Sequence, residues 1–170
     1  EFYQNHSSTN QKECESLAAK THSRSVIGDS SLRPSMETGF HALLGKVVIH
    51  THAAIVNLVT CREDGEDLMR QIFPSAHWVK YRSPGYYLTK EILVVLTENN
   101  VNINNEQVFF LENHGLIISA PSCTRALEIQ SEINTIIKKH PLINQCSTLE
   151  YNEDVLEPYK EGFLSRRPEI

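Results

Sequence analysis

Short apolar runs alternating with helical segments predict an α/β or α+β domain in which helices cover a central sheet. Three observations carry this reading. Strand-length runs fall at residues 46–51, 77–81, 107–111 and 115–119. Between and after them lie longer segments with apolar residues at helical spacing, most clearly Ala126, Ile129, Ile133 and Ile136. A chain of 170 residues, 40% hydrophobic and 22% charged, is also the right size and composition for one soluble domain with a real core.

Each element follows from local signals. Residues 1–32 are polar and poorly periodic, with a short helix expected over about 12–21 and loops around it. Ser35 is placed to cap a helix over 37–44. The run 46–51 reads as a strand, 53–61 as a helix, and 63–71 as a second helix or its extension. A short strand is expected at 77–81, and Ser83–Pro84–Gly85 marks a turn. An apolar helix over 88–98 is stopped by Asn99 and Asn100. Strands at 107–111 and 115–119 flank Asn113–His114–Gly115, where Gly115 is expected to let the backbone turn sharply. Pro121 opens a long helix to about residue 139. The segment after 141 is polar and gives no clear element; its Tyr159, Arg166 and Arg167 are free to be solvated or to reach a neighbouring chain.

Composition excludes several function classes. The net charge of −5 comes with no block of like charge, which argues against a nucleic-acid partner. No apolar run approaches the roughly 18 residues of a membrane span, and the opening residues do not resemble a secretory signal. Cys14, Cys61, Cys123 and Cys146 are widely spaced with no CxxC pair. That spacing argues against a disulfide framework or a zinc knuckle, and reads as reduced thiols in a cytoplasmic protein.

The chemistry concentrates in a few residues. Alternation along a strand places His50 and His52 on one face, with Val47, Ile49 and Thr51 on the other. Two imidazoles so placed can share one metal ion, and their nitrogens suit Zn²⁺ and its first-row neighbours. His114 lies at the end of the apolar strand 107–111 and can supply a third nitrogen. Three histidines leave a coordination position open, the pattern of a catalytic metal. Glu37, with His41 four residues on, is a fourth candidate: a carboxylate near a metal can ligate it or act as general base. Simpler readings stand beside these. An HxH in a strand can be structural, Glu37 can stabilise a helix N-terminus, His114 can be a strand-end polar residue, and His41 and His77 can be packing residues.

Three strings occur in a telling order: RPSMETGFH over 33–41, KVVIHTH over 46–52 and FFLENHGL over 109–116, with YRSPG over 81–85 between them. Together they resemble the class II aldolase/adducin family, most nearly its sugar-phosphate aldolases of the fuculose and rhamnulose phosphate type. The resemblance covers about residues 33–140 and implies a three-layer α/β/α fold with a central, mainly antiparallel sheet. The whole chain would be one such domain, with 1–32 a polar unaligned segment and 141–170 a tail. It implies zinc or another divalent transition metal on His50, His52 and His114, a catalytic Glu37, and Ser35 among the substrate contacts. The implied reaction is cleavage of a ketose phosphate or related hydroxy-ketone through a metal-stabilised enediolate, in a homo-oligomer that in this family is usually a tetramer. The same four residues would also serve an epimerase, dehydratase or decarboxylase, and the family's adducin-like branch contains non-catalytic interaction modules. Residues 1–32 do not align with the phosphate-binding loops that the family carries ahead of its glutamate, and Met36 stands where some members have a polar residue.

Overall fold

Strand β4 (Gly115–Ala120) is buried along its whole length, as expected of an apolar run covered on both faces. The computed structural model, which describes residues 2–5, 10–29 and 31–144, shows why. β4 is central in a four-stranded sheet of order β1-β4-β3-β2. It pairs antiparallel with β1 (Val47–Thr51) on one side and with β3 (Gln107–Leu111) on the other. The short β2 (His77–Val79) joins β3 in parallel at the far edge. The sheet is thus mainly antiparallel, as expected. The strand predicted over 77–81 ends at Val79.

Helices cover both faces, giving three layers. On one face lie α4 (Ala54–Thr60), α5 (Gly65–Ile72), α7 (Cys123–Lys139) and the short α8 (Pro141–Asn144). Their side chains Val56, Val59, Met69, Ile129 and Ile133 pack with Phe110, Leu116 and Ile118 of the sheet. On the other face lie α3 (Thr38–Leu43) and α6 (Tyr86–Glu98), where Phe40, Leu88 and Ile92 meet Phe109, Leu111 and Ile117. The alternation of β1 holds: Val47 and Ile49 go to the first face, Val48 to the second.

The opening segment extends the sequence reading: the short helix expected over about 12–21 is a 14-residue helix, α2 (Gln11–Arg24). Asn10 caps it, accepting a hydrogen bond from the Glu13 N–H at 3.3 Å, and Asn10 with Glu13 three residues on is a capping-box spacing. With α1 (Phe2–Asn5), this helix packs on α6 through Tyr3, Cys14, Ala18 and Tyr86. The Glu15 carboxylate accepts from the backbone N–H of Tyr86 at 3.1 and 3.2 Å, at the positive end of α6.

Other boundaries moved little. α6 begins two residues before its predicted start, after Gly85 at φ 100°, and ends ahead of Asn100 at φ 50°, a left-handed position that Asn tolerates. α7 starts at Cys123, where the Ser122 hydroxyl accepts from Arg125 N–H at 3.2 Å. Cys14 is buried, and Cys61 and Cys123 are exposed free thiols. Cys146, Tyr159, Arg166 and Arg167 lie outside the described residues. Among the described residues no helix is long and apolar enough to cross a membrane.

Candidate metal centre

His50 enters the site because strand alternation sends it to the α3/α6 face. There its ring meets the edge of buried Phe40 at 5.2 Å between centroids. Its Nδ1 lies 2.9 Å from the Leu116 carbonyl on the neighbouring strand. A carbonyl only accepts, so Nδ1 carries the proton and Nε2 presents a bare lone pair. His52 follows just after β1, on the same side and more exposed. His114 comes from the β3–β4 hairpin, where β4 brings it alongside β1.

The three Nε2 atoms converge. His52 Nε2 is 2.9 Å from His50 Nε2 and 2.9 Å from His114 Nε2. Glu37 Oε1 stands 3.5 Å from both His50 and His114 Nε2. One ligand atom from each of the four residues falls within 4.8 Å of the others. Two nitrogens on one tetrahedral zinc would be roughly 3.3 Å apart, close to what is seen.

The donor set itself calls for a cation. His50 offers no proton at Nε2. Burial lowers the pKa of His50 and of His114, so both favour the neutral form. One proton on His52 Nε2 can satisfy only one of its two neighbours. Three imidazole nitrogens and a carboxylate crowded together therefore fit a divalent metal, which can accept from all of them at once.

Glu37 is not inside the first turn of its helix, as the sequence suggested, but is the residue just before it. Its side chain makes no capping bond and is left to face the histidines. Ser35 supplies the local cap instead, its hydroxyl accepting from the Glu37 N–H at 3.1 Å. Ser35 is not among the converging residues; with Arg33, Pro34 and Met36 it lines a cleft of about 640 Å³ walled by α2. His41 is exposed and stacks on Phe40 at 4.8 Å, and lies outside the cluster. His77 is a packing residue, stacked on Phe109 at 5.0 Å and paired with Gln107 at 3.0 Å.

Gly115 has a different role from the one predicted. The left-handed residue of the hairpin is Asn113, at φ 52°. Gly115 is glycine because a Cβ there would run into the Thr51 carbonyl, with Thr51 C at 3.2 Å and His52 Cα at 3.3 Å. The missing side chain lets the hairpin bearing His114 lie flat against the strand bearing His50 and His52.

Sequence reading also missed the cationic wall of the cleft. Lys20 and Arg24 from α2 line it, together with Arg33 and the Glu15 carboxylate. Their four-residue spacing on a helix with an Asn10 cap is the signal that would have found them.

The fold is a three-layer α/β/α domain with three histidines and a carboxylate converging at the end of its sheet, a cluster that could hold a metal ion. The chain belongs to the class II aldolase/adducin family: residues 9–139 match the Class II Aldolase and Adducin N-terminal domain. Among solved structures, the N-terminal class II aldolase domain of a conserved protein from Thermoplasma acidophilum is similar, with a TM-score of 0.65 at 23% identity. The alignment covers 80% of this chain and 59% of that one, so this chain spans less than two thirds of that structure. At this identity the likeness establishes the fold. No curated protein is a significant match to the sequence.

Proposed function

We propose that this protein is a divalent-metal-dependent lyase of the aldolase type, acting on a small hydroxy-ketone that carries an anionic group such as a phosphate. The observation that carries the reading is the convergence of Glu37 with His50, His52 and His114. His50, His52 and His114 would hold the metal, and three neutral imidazoles suit zinc. The metal, when bound, supplies Lewis-acid stabilisation of negative charge developing on substrate oxygen.

Glu37 handles the proton. In the cleavage direction the hydroxyl on the carbon that becomes the aldehyde loses its proton, the carbon–carbon bond breaks, and the carbon left beside the ketone carbonyl takes up a proton. Glu37, uncommitted to any cap, is placed to deliver it and to remove it in the reverse direction. The cleft lined by Ser35 and Met36, which directly precede Glu37 in the chain, supports an anionic substrate. Lys20, Arg24 and Arg33 line it, and none of the three forms an ion pair among the described residues.

The test is metal content by elemental analysis of wild type and His50→Ala, followed by assay on ketose phosphates. We expect about one metal per chain, lost in the variant while the far-ultraviolet circular dichroism is unchanged. Full metal content in His50→Ala rules out the site. No metal in either protein after reconstitution favours an adducin-like interaction module. With an active substrate in hand, Glu37→Gln should still bind metal at saturation but lose about 10²–10⁴-fold in proton transfer.

A further inference from the structure

The carboxylate of Glu37 is aimed at the histidines by something other than its own bonds. It makes no capping bond, and its recorded polar contacts are the two at 3.5 Å to His50 and His114. Its placement therefore depends on where α3 sits. α3 has six residues, under two turns, too short to hold a position without packing. Phe40 anchors it on the sheet side. What stops it on the other side is the question.

Gly39 answers it. This buried glycine lies two residues after Glu37, and a Cβ there would be 2.6 Å from Thr89 Oγ1 and 2.7 Å from Tyr3 Cζ, with the Tyr3 hydroxyl oxygen closer still. The backbone of α3 is thus seated directly on the Tyr3 hydroxyl. That hydroxyl is fixed from several directions. It pairs with His22 Nε2 of α2 at 2.8 Å and with the side chain of Thr89 on α6. Thr89 in turn is fully buried and donates to the Gly85 carbonyl at 2.9 Å. The main chain of Tyr3 is also held, its carbonyl accepting from Lys90 Nζ at 2.9 Å, and the residue is 8% exposed.

We propose that Tyr3 is a positioning residue for Glu37: its hydroxyl is the stop on which Gly39 rests, and this sets where α3 presents the Glu37 carboxylate to the metal centre. The first helix of the chain, far from the histidines in sequence, thereby completes the site. A phenylalanine would serve the apolar packing of Tyr3 equally well, so the hydroxyl is the informative atom. This rests on the reading of Glu37 and the histidines given under Proposed function.

The experiment is a Co²⁺ titration, followed by visible absorption, of the full chain in four forms: wild type, Tyr3→Phe, Glu37→Gln and the double variant. Thermal melts confirm that each is folded. Glu37→Gln is expected to weaken Co²⁺ binding about 10–100-fold and Tyr3→Phe about 3–10-fold, with the Tyr3→Phe spectrum shifted toward that of Glu37→Gln. In the Glu37→Gln background, Tyr3→Phe should add nothing. Gly39→Ala, which pushes α3 away from the same seat, should give a Glu37→Gln-like spectrum. Tyr3→Phe binding like wild type, or weakening Co²⁺ equally in both backgrounds, overturns the inference and leaves the metal centre standing. A wild type that binds no Co²⁺ overturns the reading beneath it and the inference with it, whereas a Glu37→Gln variant with unchanged affinity and spectrum overturns the inference and leaves the histidine centre standing.

Discussion

Replacing Gly115 with alanine tests the geometry of the whole centre through a residue that ligates nothing. The added methyl would meet the Thr51 carbonyl, which must withdraw by roughly 0.7 Å to reach the 3.0 Å below which real Cβ atoms are not found. The obstacle is backbone, so no side chain can swing aside. Thr51 precedes His52 and Gly115 follows His114, so the displacement falls directly between two of the three histidines. Metal–ligand distances tolerate only about 0.2 Å. Gly115→Ala should therefore lose at least tenfold in metal affinity, on the scale of a displaced ligand support. Overpacking at the strand pair should also cost about 1–3 kcal/mol of stability. Competition with a chromophoric zinc chelator measures the first, and urea denaturation of metal-free protein the second. A variant with wild-type zinc affinity and an unchanged urea midpoint would show that β1 and β4 do not approach as closely as described.

Two further outcomes follow from the packing. Phe40 is fully buried and edges against His50, so Phe40→Ala should cost about 3–5 kcal/mol in urea denaturation, while Phe40→Leu should keep most of it; equal losses would mean that the ring itself is what matters. Burial holds His22 below its ordinary pKa of 6.5, so the unfolded chain binds that proton more readily than the fold does. The stability this represents is fully present above about pH 6.5 and is lost as the pH falls below it. His50 and His114 shift in the same direction, so melting temperatures of chelator-treated protein should fall on acidification, and less steeply in His22→Asn; identical slopes would remove His22 from the account.

The parts of the molecule that the sequence made legible are those written in local pattern. Alternation put His50 and His52 on one face, and the apolar run at 107–111 delivered His114 to a strand end. Turn chemistry located the hairpin but credited the wrong residue. Asn113 takes the left-handed conformation, whereas the need for Gly115 arises from a strand more than sixty residues earlier, which no local signal encodes. Glu37 was legible from its place at the head of a helix with His41 four residues on, but its lack of a capping bond, with Ser35 accepting from its N–H, was not. The opening residues were least legible. Their apolar positions are sparse, and what makes them a helix is the Asn10 cap and the contact of Cys14, Ala18 and Tyr3 with a helix that follows some seventy residues later.

The carboxylate of Glu15 at the head of α6 has one more consequence. The first turn of a helix is ordinarily a ready receptor for phosphate or carboxylate, and α6 is the long helix on the face of the sheet that bears the histidines. Here that receptor is plugged by the protein's own side chain. A dissolved anion cannot simply settle there; it must first evict Glu15 and with it loosen the seating of α2. Under the proposed function, recognition of a negatively charged ligand would pass from fixed backbone dipoles to the long side chains of Lys20, Arg24 and Arg33, which line the cleft together with Glu15. Such a receptor would give up rigidity in exchange for reach, and would suit anionic groups that lie at different distances from the reacting carbon.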